Sequence, residues 1–345
     1  MKQNVINLIW KEKVIMNSDI MVSICCITYN HEKYIKDALE GFLNQKTNFN
    51  FEILIHDDAS IDNTANIIRE YENKYPNIIR GIYQTENQYS KNNKIAETFL
   101  FPMARGKYIA LCEGDDYWID NNKLQKQVNF LEENEEYSLV VHPSLCENQV
   151  SNERYKMKSF NTDKSLDLRE FLEEYYHVAP KVLFQTSSLV FRGKYIKELL
   201  IEKPQFNYNC NVGDIPLELF LANKGKIYFF NSFMSVYRTC VPGSWTLKQR
   251  SDLQCIKSLE NMKQMYTEFD IYTGKKYEKI INKFIDMIDF DLSIFKGEYK
   301  ELVRIKNRTY FRKLNIKSKV FILISAYSPQ FAIKLKQFKN KILKV

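Results

Sequence analysis

An acidic cluster follows an apolar run at the point where a predicted strand ends. The run is KYIALC (107–112), and Glu113-Gly114-Asp115-Asp116 comes directly after it. Crowded carboxylates raise each other's pKa unless a cation lies between them, and hard divalent ions prefer such oxygens. Gly114 lets a ligand approach the backbone closely. An acidic surface turn is the alternative, but the flanking Cys112 and Tyr117-Trp118 favour a largely buried Mn²⁺ or Mg²⁺ site that could neutralise a departing diphosphate.

Two further polar groups follow predicted strands. Thr28-Tyr29-Asn30 ends the run VSICCIT, and Asp57-Asp58 ends the run FEILIH. A nucleobase could stack on Tyr29, and one of the two aspartates could accept a hydrogen bond from a nucleobase N–H or a ribose hydroxyl. Each group alone is better explained as a turn with a helix cap. Because ligands bind at the carboxyl ends of strands in an open parallel sheet, the three groups together predict one ligand site.

The elements that must position these groups alternate between strand and helix, which is typical of a parallel sheet covered on both faces. The predicted strands cover residues 22–28, 51–56, 78–83, 107–112 and 139–142. The predicted helices cover residues 31–45, 60–75, 91–103 and 120–133, with Asn30, Ser60 and Asp120 as N-caps of the first, second and fourth.

The second half of the chain is less regular. The expected elements are a loop over 145–165, strands over 187–191, 226–230 and 233–237, a helix over 215–223, and mostly helix over 247–295. Asp214 stands between Gly213 and Pro216 at the start of a predicted helix, where an aspartate is most often only a cap.

The net charge of +8 is unevenly distributed. Residues 301–345 contain twelve Lys or Arg and one acidic residue, whereas the first 300 residues contain 38 basic and 41 acidic ones. A nucleic-acid-binding body is therefore disfavoured, because phosphate neutralisation needs a basic face there. Lysines and short apolar runs alternate over 317–344, which predicts either an anchor on an anionic membrane surface or a terminal helical pair packed on the body.

The sequence also predicts the compartment. No run of about twenty apolar residues could form a membrane-spanning helix, and the N-terminus shows no signal peptide. The seven cysteines include no CxxC pair, so a reduced cytosolic protein is favoured over a zinc or disulfide framework.

The motifs VSICCITYN, EILIHDDASIDNT and GKYIALCEGDDYW, in this order and spacing, resemble the signature of family 2 inverting glycosyltransferases of the GT-A fold. The resemblance is specific over residues 21–145 and weaker to 246. It implies an α/β GT-A domain over 21–246, with a nucleotide-sugar half (21–145) and an acceptor half (146–246). An N-terminal extension (1–20) and a helical, basic C-terminal region (247–345) lie outside it.

The resemblance also implies a role for each matching residue. The base would be held by Ile27, Thr28 and Tyr29, and the nucleoside by Asp57. Asp115 would be the chief metal ligand, beside Gly114 and beside Glu113, which stands where the family usually has Asp. Asp214 would be the catalytic base. Arg238 would lie near the diphosphate, and Trp245 in a loop beside the site. Cys240 departs from the family, which often has His there.

The predicted function is metal-dependent, inverting transfer of a sugar from a nucleoside diphosphate, with UDP implied by the resemblance, to a glycan or lipid-linked glycan acceptor in bacterial surface polysaccharide synthesis. A nucleotidyltransferase is a rival, but it usually has a Gly-rich basic loop where Tyr29-Asn30-His31-Glu32 stands here. A catalytically inactive sugar- or lipid-binding module on the same fold is a second rival. A dinucleotide-dependent dehydrogenase is disfavoured because no GxGxxG motif follows a strand.

Overall fold

The computed structural model describes residues 20–91, 94–157, 159–178, 184–210, 212–242, 244, 251–304, 307–328 and 330. The chain divides into two compact units. The first comprises residues 1–203 and 213–241, and the second comprises residues 204–212 and 242–345.

The described strands all belong to the first unit. They are β1 (Ile20–Thr28), β2 (Asn50–Asp57), β3 (Ile79–Tyr83), β4 (Tyr108–Glu113), β5 (Tyr117–Trp118), β6 (Tyr137–Val141), β7 (Ser144–Asn148), β8 (Arg154–Lys156), β9 (Lys164–Leu166), β10 (Val190–Arg192), β11 (Lys226–Phe229) and β12 (Ser235–Thr239). Eight of them form one sheet in the order β3-β2-β1-β4-β10-β6-β11-β9, and four form a second sheet in the order β5-β12-β7-β8.

The large sheet is parallel where the predicted ligand site lies. β1 pairs in parallel with β2 and β4, and β2 with β3. The interior of β1 is buried, as expected of an apolar strand in a sheet covered on both faces. On the other side β10 and β9 run antiparallel to their neighbours, so the sheet is mostly parallel and mixed.

The prediction of a loop over residues 145–165 is wrong. β7 and β8 lie there and pair with each other, and β7 also pairs with β12. The polar composition that suggested a loop has a different cause: β8 is an edge strand whose three side chains are all exposed, so it carries no apolar alternation.

Helices flank the sheet and form the second unit. They are α1 (Ile35–Leu43), α2 (Thr64–Lys74), α3 (Lys123–Glu133), α4 (Leu168–Val178), α5 (Gly193–Glu202), α6 (Gln205–Tyr208), α7 (Asp214–Lys224), α8 (Asp252–Tyr272), α9 (Glu278–Lys296), α10 (Tyr299–Leu302), α11 (Arg308–Lys313) and α12 (Ile316–Tyr327). The predicted helical C-terminal region is therefore confirmed. None of the described helices is long and apolar enough to cross a membrane.

None of the three predicted N-cap residues occupies the N-cap of its helix. Asn30 has φ 56° and its side chain accepts a hydrogen bond from Ile61 N–H, so α1 begins only at Ile35. The Ser60 hydroxyl accepts from Asn30 N–H in the loop after β1 and donates to Asp57 at the end of β2, and α2 begins at Thr64. Asp120 accepts from Asn122 N–H in the turn before α3. In each case the polar side chain shapes the loop before the helix rather than its first turn.

Two predicted elements differ in their local structure. The helix predicted over 91–103 is a π-helical turn (Ala96–Leu100) followed by a 3₁₀ turn (Phe101–Met103) that contains Pro102. The strand predicted over 187–191 begins later, at Val190, because Thr186–Ser188 form a 3₁₀ turn. Pro102 lacks the N–H that an α-helix would need at that position, which explains the first difference.

Lys123 is a fully buried lysine in α3. Its Nζ donates to Gln127 Oε1 over 2.8 Å and lies 4.2 Å from the centre of the Trp118 ring. Burial lowers the pKa of Lys123 to about 7. A charged group in this place opposes folding unless it loses its proton.

Replacing Lys123 with Met should remove a pH-dependent part of the stability. An unfolded lysine titrates near pH 10.4. Between about pH 7 and about pH 10 the unfolded chain therefore binds more protons than the native chain, and the free energy of unfolding rises with pH. Relative to K123M, the wild type should gain up to about 1.4 kcal/mol per pH unit over this window. Urea unfolding at several pH values measures the two slopes.

The matched control is Lys36→Met, which removes an exposed lysine from α1. Its slope should match that of the wild type. Equal slopes for the wild type and K123M would contradict a buried, proton-releasing Lys123.

Candidate active site

The register of three parallel strands brings the predicted polar groups to one edge of the sheet. Thr28 at the end of β1 is paired with Asp57 at the end of β2, and Ile27 is paired with Glu113 at the end of β4. Asp58 N–H donates to Thr28 O over 3.0 Å, and Gly114 N–H donates to Ile27 O over 2.9 Å. The three motifs, distant in sequence, thus end side by side. Thr28 is buried, whereas Ile27 and Tyr29 are half-buried at the same strand end.

His31 connects the first motif to the acidic cluster. Its Nε2 lies 3.8 Å from Asp115 Oδ2, and its Nδ1 lies 3.1 Å from Thr28 Oγ1. Its backbone N–H donates to Thr64 Oγ1 over 2.8 Å, which fixes the start of the loop. Gly114 packs against the same group: a Cβ at this position would lie 2.5 Å from Thr28 Oγ1. The glycine is needed for close packing between the two loops.

The acidic cluster is electrostatically strained. Loss of water around the Glu113 carboxylate raises its pKa to about 8, and the negative charges of Asp115 and Asp214 add to the shift. The Glu113 side chain as a whole is nevertheless exposed to solvent. Asp116 is buried, and burial raises its pKa well above the usual range. Its Oδ1 accepts from Arg238 N–H over 2.9 Å, which gives Asp116 a structural role. Glu113 and Asp115 are therefore the members of the cluster that can meet a ligand.

The two neighbouring aspartates after β2 have different roles. Asp57 accepts from the hydroxyl and the backbone N–H of Ser60, and burial raises its pKa. Asp58 uses both oxygens to hold a loop: Oδ1 accepts from Gln88 N–H over 2.7 Å and Oδ2 from Tyr89 N–H over 3.1 Å. Asp57 thus bonds to Ser60 within its own turn, whereas Asp58 holds the loop that carries Tyr89.

Asp214, the predicted catalytic base, lies within electrostatic reach of the acidic cluster. It is the first residue of α7, and its Oδ1 accepts from its neighbour Ile215 N–H over 2.8 Å. Its negative charge contributes to the raised pKa of Glu113, although the two residues are 101 positions apart in the chain. Burial raises the pKa of Asp214, and the positive charge of Lys94 opposes that shift. The charge of the half-buried Asp214 thus links the start of α7 electrostatically to the end of β4.

Three residues of this region were missed by the sequence analysis: His31, Lys94 and Tyr89. Lys94 is buried at 2% exposure, whereas Tyr89 is 43% exposed. Burial raises the pKa of the Tyr89 phenol, and the negative charges of Glu113 and Asp214 add to this shift. The segment around Tyr89 and Lys94 is polar and has no strand or helix period, so only the loop held by Asp58 reveals their position. His31 directly follows a quoted motif and could have been singled out there.

Arg238 supports the acidic cluster from inside the protein. Its Nη1 donates to Asp115 O over 3.0 Å, and its other nitrogens bond to the carboxylates of Glu147 and Asp37. Its guanidinium lies 4.3 Å from the centre of the Tyr117 ring. With so many protein partners, Arg238 fixes the backbone of the acidic turn. Trp245, the predicted loop residue, lies outside the described residues.

Sequence comparison places this site within a known class of proteins. Residues 23–194 match the sequence profile of glycosyl transferase family 2. An uncharacterised protein of Mycobacterium tuberculosis is 35% identical over 231 residues, which cover 65% of this chain and 60% of that protein. The UDP-Glc:alpha-D-GlcNAc-diphosphoundecaprenol beta-1,3-glucosyltransferase WfaP of Escherichia coli is 35% identical over 112 residues, 32% of this chain and 41% of that protein. The chain thus spans 60% or less of the length of these relatives.

Structural comparison supports the fold. The mannosyltransferase PcManGT of Pyrobaculum calidifontis, solved with GDP-Man and Mn²⁺, aligns over 97% of this chain and 94% of its own with a TM-score of 0.52. At 15% sequence identity this likeness concerns the fold alone. Together with the edge site, it defines a glycosyltransferase domain of the GT-A type. The chain belongs to glycosyl transferase family 2, which confirms the resemblance in the sequence motifs.

The effect of the Asp214 charge on the acidic cluster can be tested by titration. Asp214→Asn should lower the pKa of Glu113 below its value of about 8, because one of the negative charges that raise it is gone. The pH dependence of the Glu113 side-chain carboxyl shift, followed by carbon-detected NMR without added metal, measures this. The control is Asp163→Asn, which removes a carboxylate that accepts a hydrogen bond from Asn231 N–H. This variant should leave the Glu113 titration unchanged. An unchanged titration in D214N would separate Asp214 from the site.

Proposed function

We propose that this protein transfers a sugar from a nucleoside diphosphate to an acceptor hydroxyl, with inversion of the anomeric configuration. The observation that carries the proposal is the register of β1, β2 and β4, which brings Thr28, Asp57 and Glu113 to one edge of the sheet. The negative charge of Asp214 acts on Glu113 at that edge. One carboxylate near the acceptor and a pair of carboxylates near a diphosphate are the groups that a single displacement requires.

In the proposed step Asp214 accepts the proton of the acceptor hydroxyl. The acceptor oxygen attacks the anomeric carbon from the face opposite the diphosphate, and the bond to the diphosphate breaks with its electron pair on the leaving oxygen. A single displacement inverts the configuration. A general base works best with a pKa near the working pH, and burial shifts the pKa of Asp214 in this direction while the charge of Lys94 limits the shift.

The nucleotide would bind at the ends of β1 and β2. Ile27, Thr28 and Tyr29 would contact the base, and Asp57 the nucleoside. Tyr29 is half-buried, so one face of its ring can support a base without a large change in structure. We propose UDP as the nucleotide, supported by the family resemblance and by the UDP-Glc donor in the name of the E. coli relative.

A divalent ion, Mn²⁺ or Mg²⁺, would be held by Asp115 with Glu113 nearby. Among the described residues, no three His, Cys, Asp or Glu side chains form a complete metal site. Two carboxylates whose negative charges repel each other nevertheless fit an ion that keeps positions open for phosphate oxygens. When bound, such an ion would supply positive charge for the leaving diphosphate. Arg238, which donates to the Asp115 carbonyl, would keep the turn in place beneath it.

We propose a glycan or lipid-linked glycan of a bacterial surface polysaccharide as the acceptor. The E. coli relative is named for transfer to a diphosphoundecaprenol-linked sugar, which is an acceptor of this class. An enzyme that transfers a sugar from a nucleotide sugar to such a lipid-linked acceptor would work in the cytoplasm, at the inner face of the cell membrane. The basic C-terminal region would favour that place, because cations are attracted to anionic lipid headgroups.

Asp115→Asn and Asp214→Asn should each abolish sugar transfer, but they should differ in donor binding. Only the first removes a metal-ligating oxygen, so only D115N should weaken the binding of UDP-glucose or UDP-N-acetylglucosamine in a Mn²⁺-dependent way. Calorimetric binding with and without Mn²⁺, and diphosphate release across a panel of nucleotide sugars, measure the two effects. Glu133→Gln, at the exposed end of α3, is the control.

The same assays separate the rival functions. An inactive binding module would bind a nucleotide sugar without releasing diphosphate. A nucleotidyltransferase would exchange labelled pyrophosphate into its product, whereas the proposed enzyme would not. Full transfer activity in D214N would refute the assignment of the base.

Tyr89→Ala should raise the KM for sugar substrate about tenfold while the melting temperature stays close to that of the wild type, because the ring is exposed and its phenol interacts electrostatically with Glu113 and Asp214. Asp58→Ala should produce the same kinetic change, since it releases the two backbone N–H groups that position Tyr89. Steady-state kinetics measure both. Tyr155→Ala, which removes a 54%-exposed ring from β8, should have no effect. A normal KM in Y89A would place the ring outside the sugar path.

A further inference from the structure

Helix α12 in the second unit has an inner and an outer face. Ile322, Ser325 and Ala326 are buried, and Ile322 packs in a small core with Phe290 and Leu302. The Asn315 side chain accepts from Ser318 N–H over 2.9 Å and caps the first turn. The helix is therefore anchored and capped within its own unit.

The outer face of α12 carries an apolar stripe. Its members are spaced by four, three and four residues, which places them on one side of an α-helix. They are Ile316, Val320, Leu323 and Tyr327, exposed by 78%, 48%, 41% and 76%. Large apolar side chains in a continuous exposed row are typical of interaction surfaces and not of an ordinary solvated face.

The charge around the stripe has a single sign. Residues 302–345 contain twelve Lys or Arg and no Asp or Glu. Those described include the exposed Arg308, Arg312 and Lys313 of α11, and the exposed Lys317 and half-buried Lys319 of α12, which flank the stripe in the helix. An apolar stripe flanked by Lys317 and Lys319, on a helix that like α11 contains no Asp or Glu, complements a surface that is apolar inside and negatively charged outside.

We propose that this outer face of α12 is a membrane-binding surface, in which the four stripe residues enter the interface of an anionic bilayer and the flanking Lys and Arg side chains contact lipid phosphates. The helix is twelve residues long, or about 18 Å, which suits a helix that lies in the interface plane. The proposal rests on the proposed lipid-linked acceptor for its biological sense, but on the stripe and its charges for its physical basis.

Vesicle co-sedimentation of the full chain tests the surface. Vesicles of phosphatidylcholine mixed with phosphatidylglycerol should bind the wild type, and vesicles of phosphatidylcholine alone should bind it at least tenfold more weakly. Val320→Ser with Leu323→Ser should reduce binding to the anionic vesicles at least tenfold, and so should Lys317→Glu with Lys319→Glu. Absence of wild-type binding to anionic vesicles would overturn the proposal.

Matched controls exclude general effects of surface change. Leu253→Ser with Ile271→Ser removes two residues of similar exposure, 77% and 65%, from α8. Lys276→Glu with Lys279→Glu makes the same charge change at other exposed positions. Both control pairs should bind as the wild type does. Equal losses in test and control pairs would show that no particular face is responsible.

Further readouts separate this proposal from the proposed function and from other occupants of the face. Hydrolysis of UDP-glucose or UDP-N-acetylglucosamine in the absence of vesicles should be unchanged in the charge-reversal pair, so loss of vesicle binding with intact hydrolysis supports the surface alone. If the serine pair lowers the melting temperature, the charge-reversal pair decides the question. A wild-type dimer that becomes a monomer in the serine pair, or capture of an acidic protein with no vesicle binding, would instead assign the stripe to a protein contact and overturn the membrane assignment.

Discussion

The parallel hydrogen bonding of β1 with β2 and β4 is the constraint on which the rest of the site depends. It fixes Thr28 beside Asp57 and Ile27 beside Glu113. A shift of one residue in either pairing would turn every following side chain to the opposite face of the sheet. Because β1 is buried, its register is strongly specified. The same register fixes the positions of the residues at the strand ends.

The crowded carboxylates at the end of β4 are held against their mutual repulsion by contacts elsewhere. Asp116 is tied to the backbone of Arg238, and the Arg238 guanidinium reaches the carbonyl of Asp115. Gly114 meanwhile allows Thr28 to pack directly on the turn. A cation bound among these carboxylates would relieve their repulsion, and its remaining positive charge could then attract a diphosphate.

The sequence predicted the parts of this structure that depend on local patterns. Apolar runs located β1, β2 and β4, and polar residues directly after them located the site, because strand ends in a parallel sheet are positioned by topology alone. It could not predict that Asp58 positions a loop while Asp57 bonds to Ser60, since the partners of Asp58 lie thirty residues further along the chain. The same limit hid Tyr89 and Lys94. It also misjudged β7 and β8, whose pairing with other strands replaces the apolar alternation that identifies a strand on its own.

The Ser60 hydroxyl joins two strained loops. It donates to Asp57 and accepts from Asn30 N–H over 2.8 Å. Asn30 and Ala59, one in each loop, both have positive φ, 56° and 62°, a conformation that persists only where surrounding contacts impose it. The two loops that would surround a nucleoside are thus one mechanical piece. A change of base preference would then require coordinated replacements on both loops, and a single exchange at Tyr29 or Asp57 would more readily weaken recognition than redirect it.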